Sequence, residues 1–405
     1  MNRKDIFGRS WPGLLGDIGV WALVGMTVLV SAEIWARFDD FVYEHVPFLA
    51  SPSERDLEIV DEQGVRGRPN GRFQKWKLNK FGFRGPEIGR EAPAQCRRVM
   101  ILGASETFGL YESPDKEFPA QLRQRLARSG CVEVINAAVV GMELASMRRY
   151  WEEWASQFHP DLVLIYPTPH FYLNESVTRR AVGQAGAIPA SRFTANASKE
   201  FSSRFVLRLH NVFHYPYFIQ KRRDRRRIAN QVEGKDAAWF FHEVPQDRLR
   251  MFGTELRMLV ASIKQKGATP VLMAHAFRAA LPLRGEDYRD LEAHRVFMPR
   301  AMPEVIAQFE FAANEEIRRI SSEEGLALID LARAVDGCRQ CFADLVHFTD
   351  FGAGVVADEI ARQIQPMLVG GGSRSSAPAR SDGRSAAPDR ALRNTPAQHL
   401  SGEGS

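Results

Sequence analysis

From residue 98 onward the chain alternates short apolar runs with amphipathic stretches. Five runs read as buried strands: Arg98 to Gly103, Glu133 to Ala137, Asp161 to Tyr166, Thr269 to Met273 and Leu326 to Asp330. Between them apolar residues recur at helical spacing. Phe118, Leu122 and Leu126 stand four apart within 116–129, and further stretches run near 142–157, 247–266, 303–323 and 351–368. Strands that are apolar throughout, separated by helices, predict a parallel sheet covered on both faces. Five strands and five helices make this a doubly wound α/β fold, with its functional loops at the C-terminal ends of the strands.

The N-terminus has a different pattern. Ile18 to Ala32 carries no charge, and Trp11 to Trp35 contains only Asp17 and Glu33. Trp11 and Trp35 stand where interfacial aromatics belong, close to the length a bilayer requires. Arg3, Lys4 and Arg9 precede this stretch, and Asp39, Asp40 and Glu44 follow it. The positive-inside rule then puts residues 1–12 in the cytoplasm, a transmembrane anchor at 13–36, and the rest outside. A cleaved signal ending at Val30-Ser31-Ala32 is the rival reading.

Residues 37–94 read as a polar, Gly- and Pro-containing approach segment to a domain at 95–368. The third and fourth strands are separated by an insertion, 175–246. Within it Lys221 to Arg227 carries six basic residues and one acid, Asp224. This is either a solvated face of a lid or a contact for anionic lipid or acidic polysaccharide. Residues 369–405 are Gly, Ser, Ala, Pro and Arg with few large apolar side chains, and are expected to be disordered.

Composition narrows the picture only a little. The chain has 405 residues, 44% hydrophobic and 25% charged, which is a globular balance. A mean hydropathy of −0.28 excludes a polytopic membrane protein and allows one span. The 54 Lys+Arg exceed the 49 Asp+Glu by only five, too few to imply nucleic acid.

The candidate chemistry sits at strand ends. The first strand runs into Gly103-Ala104-Ser105-Glu106-Thr107-Phe108-Gly109, which sets a serine at the switch from strand to helix. Past the second strand comes Asn136-Ala137-Ala138-Val139-Val140-Gly141, where a glycine amide can face that serine. Asp344-Leu345-Val346-His347 precedes the last helix. An Asp and a His three apart can face one way, so that the carboxylate orients the ring and the ring serves a nucleophile. Each motif alone is as readily an ordinary turn.

Taken in this order the motifs resemble the SGNH (GDSL-like) hydrolases over roughly residues 95 to 367. The string Asn79-Lys80-Phe81-Gly82-Phe83-Arg84-Gly85-Pro86-Glu87 is similar to a segment of bacterial members. The resemblance implies a flavodoxin-like three-layer fold and hydrolysis or transfer of acyl esters, with no cofactor or metal. It implies Ser105 as nucleophile, His347 as base and Asp344 as its orienting partner. The oxyanion donors would be the amides of Ser105 and Gly141. Two positions depart from the pattern. Ala104 replaces the family's Asp before the serine. After the third strand, Tyr166-Pro167-Thr168-Pro169-His170-Phe171-Tyr172 stands where the family has Gly-x-Asn-Asp. His170 falls at the Asn position, and a neutral imidazole N–H there could donate to the oxyanion. Tyr172 and Asn174 are nearby substitutes. His275 ends the fourth strand and is expected at the rim as a substrate contact.

The expected activity is therefore a membrane-anchored, exported serine esterase. An O-acyltransferase acting on an envelope polysaccharide and a non-catalytic envelope- or carbohydrate-binding protein are its alternatives. Cys96 and Cys131 precede neighbouring parallel strands, within bridging reach of each other. Cys338-x-x-Cys341 lies just before Asp344. The favoured pairings are Cys96–Cys131 and Cys338–Cys341.

Overall fold

The computed structural model describes residues 11–44, 48–49, 57–61, 64–128, 130–174, 203–213 and 217–369. Of the tail expected to be disordered, residues 370–405 lie outside the described residues, as does the first part of the insertion, 175–202.

Helix α1 (Trp11–Glu44) opens the chain. Two antiparallel hairpins follow, β1 (Glu58–Asp61) with β2 (Gly64–Gly67), and β3 (Arg72–Phe73) with β4 (Trp76–Lys77). The central sheet has five parallel strands: β5 (Arg97–Leu102), β6 (Val132–Asn136), β7 (Leu162–Ile165), β8 (Thr269–Met273) and β9 (Ala327–Ile329). Its order is β6-β5-β7-β8-β9, the flavodoxin-like arrangement. The chain steps from β5 outward to β6, then returns to the other side of β5 for β7. That reversal opens a crevice at the C-terminal end of β5, where ligands of open α/β sheets bind.

The helices are α2 (Ser105–Phe108), α3 (Phe118–Leu126), α4 (Leu144–Glu153), α5 (Arg204–Phe213), α6 (Tyr217–Val232), α7 (Gln246–Gln265), α8 (Gly285–His294), α9 (Pro303–Glu324), α10 (Leu331–Ala334) and α11 (Asp350–Val369). Side-chain alternation along the strands divides the core in two. Met100, Leu102, Val163, Ile165 and Leu272 pack under α4, α7 and α9 with Leu256, Leu259, Ile306 and Phe309. Val99, Ile101, Leu164, Val271 and Met273 pack under α3 and α11 with Phe118, Leu122, Val356 and Ile360. Val99 to Leu102 of β5 are fully buried on both faces, as a run of apolar residues without alternation requires. Each large side chain so buried contributes about 1.5–3 kcal/mol relative to exposure.

Helix α1 extends eight residues beyond the expected end of the anchor at 36, and the reason lies in the insertion. Glu33 accepts from the Ser203 hydroxyl (2.7 Å) and from the amides of Arg204 (3.1 Å) and Phe205 (3.0 Å), which caps the N-terminus of α5. Asp40 forms a buried ion pair with Arg204. The acids in and after the apolar stretch thus hold the insertion to α1. The stretch Ile18–Val42 is long and apolar enough to cross a membrane.

Residues 64–94 do more than approach the domain. Phe73, Trp76 and Leu78 form a small core with Phe108, and the buried Arg84 reaches the end of α2. Both cysteine pairs are bridged as favoured, with Cα atoms 4.6 Å apart for Cys96–Cys131 and 5.4 Å for Cys338–Cys341.

Candidate active site

Strand β5 delivers Ser105. The turn after it is tight: a Cβ on Gly103 would lie 2.1 Å from the Thr107 hydroxyl, so only glycine permits this return of the chain. The short helix α2 starts at Ser105 and ends at Gly109 in a left-handed conformation. Arg84 donates to the carbonyls of Phe108 and Gly109, both at 2.6 Å, and pairs with Glu117 at 3.0 Å. A cation at the C-terminal carbonyls satisfies groups the helix leaves orphaned and so holds the serine turn in place. Asn136, at the end of β6, donates to the Thr107 carbonyl (3.0 Å) and ties the second strand to the same turn.

His347 comes from the loop before α11. Its Nε2 lies 2.9 Å from the Ser105 Oγ, and its Nδ1 lies 2.8 Å from the Asp344 Oδ2. The other Asp344 oxygen accepts from the amides of Val346 (2.9 Å) and His347 (2.8 Å). An ionised carboxylate only accepts, so Nδ1 carries the proton and Nε2 presents a lone pair to the serine hydroxyl. Burial works against the charge of Asp344. The hydrogen bond and charge of His347, with the two amides, outweigh it and hold Asp344 well below the usual carboxylate range. Burial also opposes charging of His347, but Asp344, Glu106 and Glu112 together raise its pKa. The arrangement can take a proton from Ser105 and keep the resulting imidazolium.

The loop after β6 is fastened to β5 by the Ala137 amide on the Ile101 carbonyl and the Val139 amide on the Gly103 carbonyl. Gly141 follows at φ +73°, and nothing lies within 4 Å of where its Cβ would be. The space before it is open.

His170 sits in the 3-10 turn Pro169–Leu173, buried, with Nδ1 2.6 Å from the Glu310 Oε1. That contact changes the role expected of it. The carboxylate accepts a hydrogen bond from Nδ1–H, so a neutral His170 would show a lone pair, not an N–H, at Nε2. His170 donates from Nε2 only as an imidazolium. Tyr172 is not a substitute donor, since its hydroxyl turns away to Glu255. The expectation for His275 is corrected outright. It is fully buried, and both ring nitrogens face carboxylates: Nδ1 to Glu310 at 2.8 Å and Nε2 to Glu106 at 3.3 Å. No edge of this ring remains for a substrate.

Three carboxylates at the site escape a reading by motif. Glu106 Oε2 lies 3.2 Å from the Ser105 Oγ. Burial opposes its charge, but His275, then His347 and His170, hold its pKa down to about 2. Glu310, on α9, is likewise opposed by burial and held at about 2 by His275 and His170. His275 is opposed by burial and raised to about 10 by the same two acids. Glu112 is the contrary case: burial pushes it up to about 7. Its Oε2 accepts from the Tyr111 amide at 3.2 Å, while Oε1 has no hydrogen-bond partner among the described residues. The signal available in the sequence was an acid inside an apolar helix face, Gln308-Phe309-Glu310-Phe311-Ala312-Ala313, and an acid directly after the serine.

No family model matches the chain, and no curated protein matches it. Among solved structures it is similar to a lipase/acylhydrolase from Enterococcus faecalis, at 13% identity and TM-score 0.40, over 67% of this chain and 96% of that one. It is similar also to the psychrotrophic esterase EstA from a Pseudoalteromonas species, at 12% identity and TM-score 0.38, over 67% and 99% of the two chains. A third is the acetyl-xylooligosaccharide esterase Axe2 of Geobacillus, at 15% identity and TM-score 0.36, over 66% and 94%. Likeness this distant assigns no substrate to the chain. The strand order, the serine at the sheet's switch point and the Asp344–His347 turn agree with the SGNH resemblance seen in the sequence.

Proposed function

We propose that the protein is a serine esterase of SGNH type that cleaves acyl esters of lipid or O-acylated carbohydrate. The observation that carries this reading is the continuous line Asp344–His347–Ser105, with contacts of 2.8 and 2.9 Å, at the C-terminal end of β5. The Ser105 Oγ attacks the ester carbonyl as its proton passes to Nε2 of His347, and an Oγ–C bond forms. The amides of Ser105 and Gly141 hold the tetrahedral oxygen. The same proton then leaves with the alcohol, and a water repeats the sequence to release the acid and restore the serine.

The compartment is part of the proposal. An oxidising exterior suits two disulfides. The stretch Ile18–Val42 is long and apolar enough to serve as the anchor. The exposed Arg222, Arg223, Arg225, Arg226 and Arg227 of α6 suit an anionic surface. The test is a panel of chromogenic esters from acetyl upward, run with full-length protein and with Ser105→Ala. Ester cleavage by the first and not the second supports the reading. Equal rates, or none with either, would remove it.

A further inference from the structure

Behind the nucleophile lies a line of four buried acid–base groups that the triad does not use. Glu106 receives the Thr168 hydroxyl, 3.1 Å from Oε1 and 3.3 Å from Oε2, and faces His275 Nε2 at 3.3 Å. His275 in turn meets Glu310 at 2.8 Å. Glu310 also takes both the Nδ1 (2.6 Å) and the amide (3.2 Å) of His170. Asn314 fixes the backbone of His275 from both sides, at 2.7 and 2.9 Å. Burying several charges costs several kcal/mol for each ion, and an apolar core of equal volume is often as stable. Stability therefore gives no reason for this line, whereas its position gives one. It ends 3.2 Å from the Ser105 Oγ, which lies 2.9 Å from His347.

We propose that Glu106 is a positioning residue for the nucleophile. It is an anionic acceptor that locates the Ser105 hydroxyl beside His347 and supports the positive charge His347 gains on taking the proton. This rests on the serine-esterase reading. Two acceptors, Nε2 and Oε2, share one hydroxyl proton. With the proton toward Glu106, the Oγ lone pair faces a protonated His347. With it toward Nε2, the serine is ready to attack. Glu106 keeps its Thr168 and His275 contacts in both states, so it does not itself take the proton. Glu106 is the end of the line nearest the triad, and its charge favours the protonated form of His347. The other groups facing His347 are Asp344 from its own turn, Glu112, the Tyr111 ring at 4.9 Å, and the half-buried His294. Of these acids, only Glu106 also touches the serine.

The test is the second-order rate of labelling by a fluorophosphonate, a substrate-independent probe of the serine, measured against pH with the full-length protein. Glu106→Gln is expected to slow the plateau about tenfold, the scale of one hydrogen bond to a charged group. It is also expected to move the acid limb to lower pH, because His347 loses a supporting anion. Glu106→Asp keeps the charge and withdraws it from the Oγ, so it should slow the plateau with the limb unmoved. An unshifted limb in a folded Glu106→Gln protein overturns the proposal. If that variant does not fold, a wild-type plateau in Glu106→Asp does so instead. Wild-type protein that never labels overturns the serine-esterase reading itself, which separates the two failures.

Discussion

Ser105 and His347 lie 242 positions apart in the chain, yet the serine Oγ and the imidazole Nε2 are 2.9 Å apart. The sheet topology brings this about. Ser105 follows β5 at the reversal of strand order, and His347 precedes α11, which packs with α3 against the same face of the sheet. Removing either side chain should leave the fold intact and abolish ester cleavage. Ser105→Ala, His347→Ala and the double variant should all show the same residual rate, because triad members act as a unit. A double variant far slower than either single would contradict that unity. Asp344→Asn should lower kcat by about 10³- to 10⁴-fold, since an amide can stabilise the wrong tautomer of His347.

Stability should fall as pH rises through the Glu112 titration. Its ordinary pKa is 4.5 and burial raises it to about 7 in the folded protein. Folding therefore favours the protonated acid, and that contribution is complete below 4.5 and lost by about 7. His275 behaves in the same sense but later, between 6.5 and about 10. Glu106 and Glu310 lose theirs only as pH falls from 4.5 toward 2. Thermal melts of Glu112→Gln against wild type isolate the first term. The variant should gain in relative Tm between pH 4.5 and 7, and parallel curves would refute the assignment.

His275 holds two buried carboxylates apart. His275→Ala leaves Glu106 and Glu310 without their shared cation, and should cost about 3–5 kcal/mol in denaturant unfolding. A loss of under 1 kcal/mol would mean that the carboxylates are neutral in the folded protein.

The central strands were legible because their residues are apolar on both faces, so that no register slip could expose a polar one. The Cys96–Cys131 bridge followed from the same logic, since both residues precede neighbouring strands. The hairpins β1–β4 were not legible, being two to four residues long and half polar. Nor was α8, whose sequence Gly-Glu-Asp-Tyr-Arg-Asp-Leu-Glu-Ala-His buries only Asp287 and Leu291. Of the site, Ser105 was visible at a strand end, and Asp344 and His347 as the motif before the last helix. The partners of His275 and His170 were not legible because they are remote in the chain. Glu106 is 169 positions from His275, and Glu310 is 140 from His170. An isolated histidine at a strand end carries no mark of the carboxylate that will occupy it.

The Cys96–Cys131 bridge closes a separation of 35 residues. Replacing both cysteines by alanine should lower stability by about 3–4 kcal/mol, by loop-closure entropy. The pair also reports on compartment. Protein purified from its native host under thiol-blocking conditions should show no free thiol, and four titratable thiols would count against an exported domain. A phosphatase fused after residue 369 should be active outside the cytoplasm, and silence there would contradict the proposed topology.

The central claim, that Ser105 is a nucleophile activated by His347, is tested most directly by intact-protein mass spectrometry after treatment with a fluorophosphonate. The account predicts one adduct, mapped to the peptide containing Ser105, absent from Ser105→Ala and strongly reduced in His347→Ala. An adduct on another residue, or none on folded wild-type protein, would contradict it.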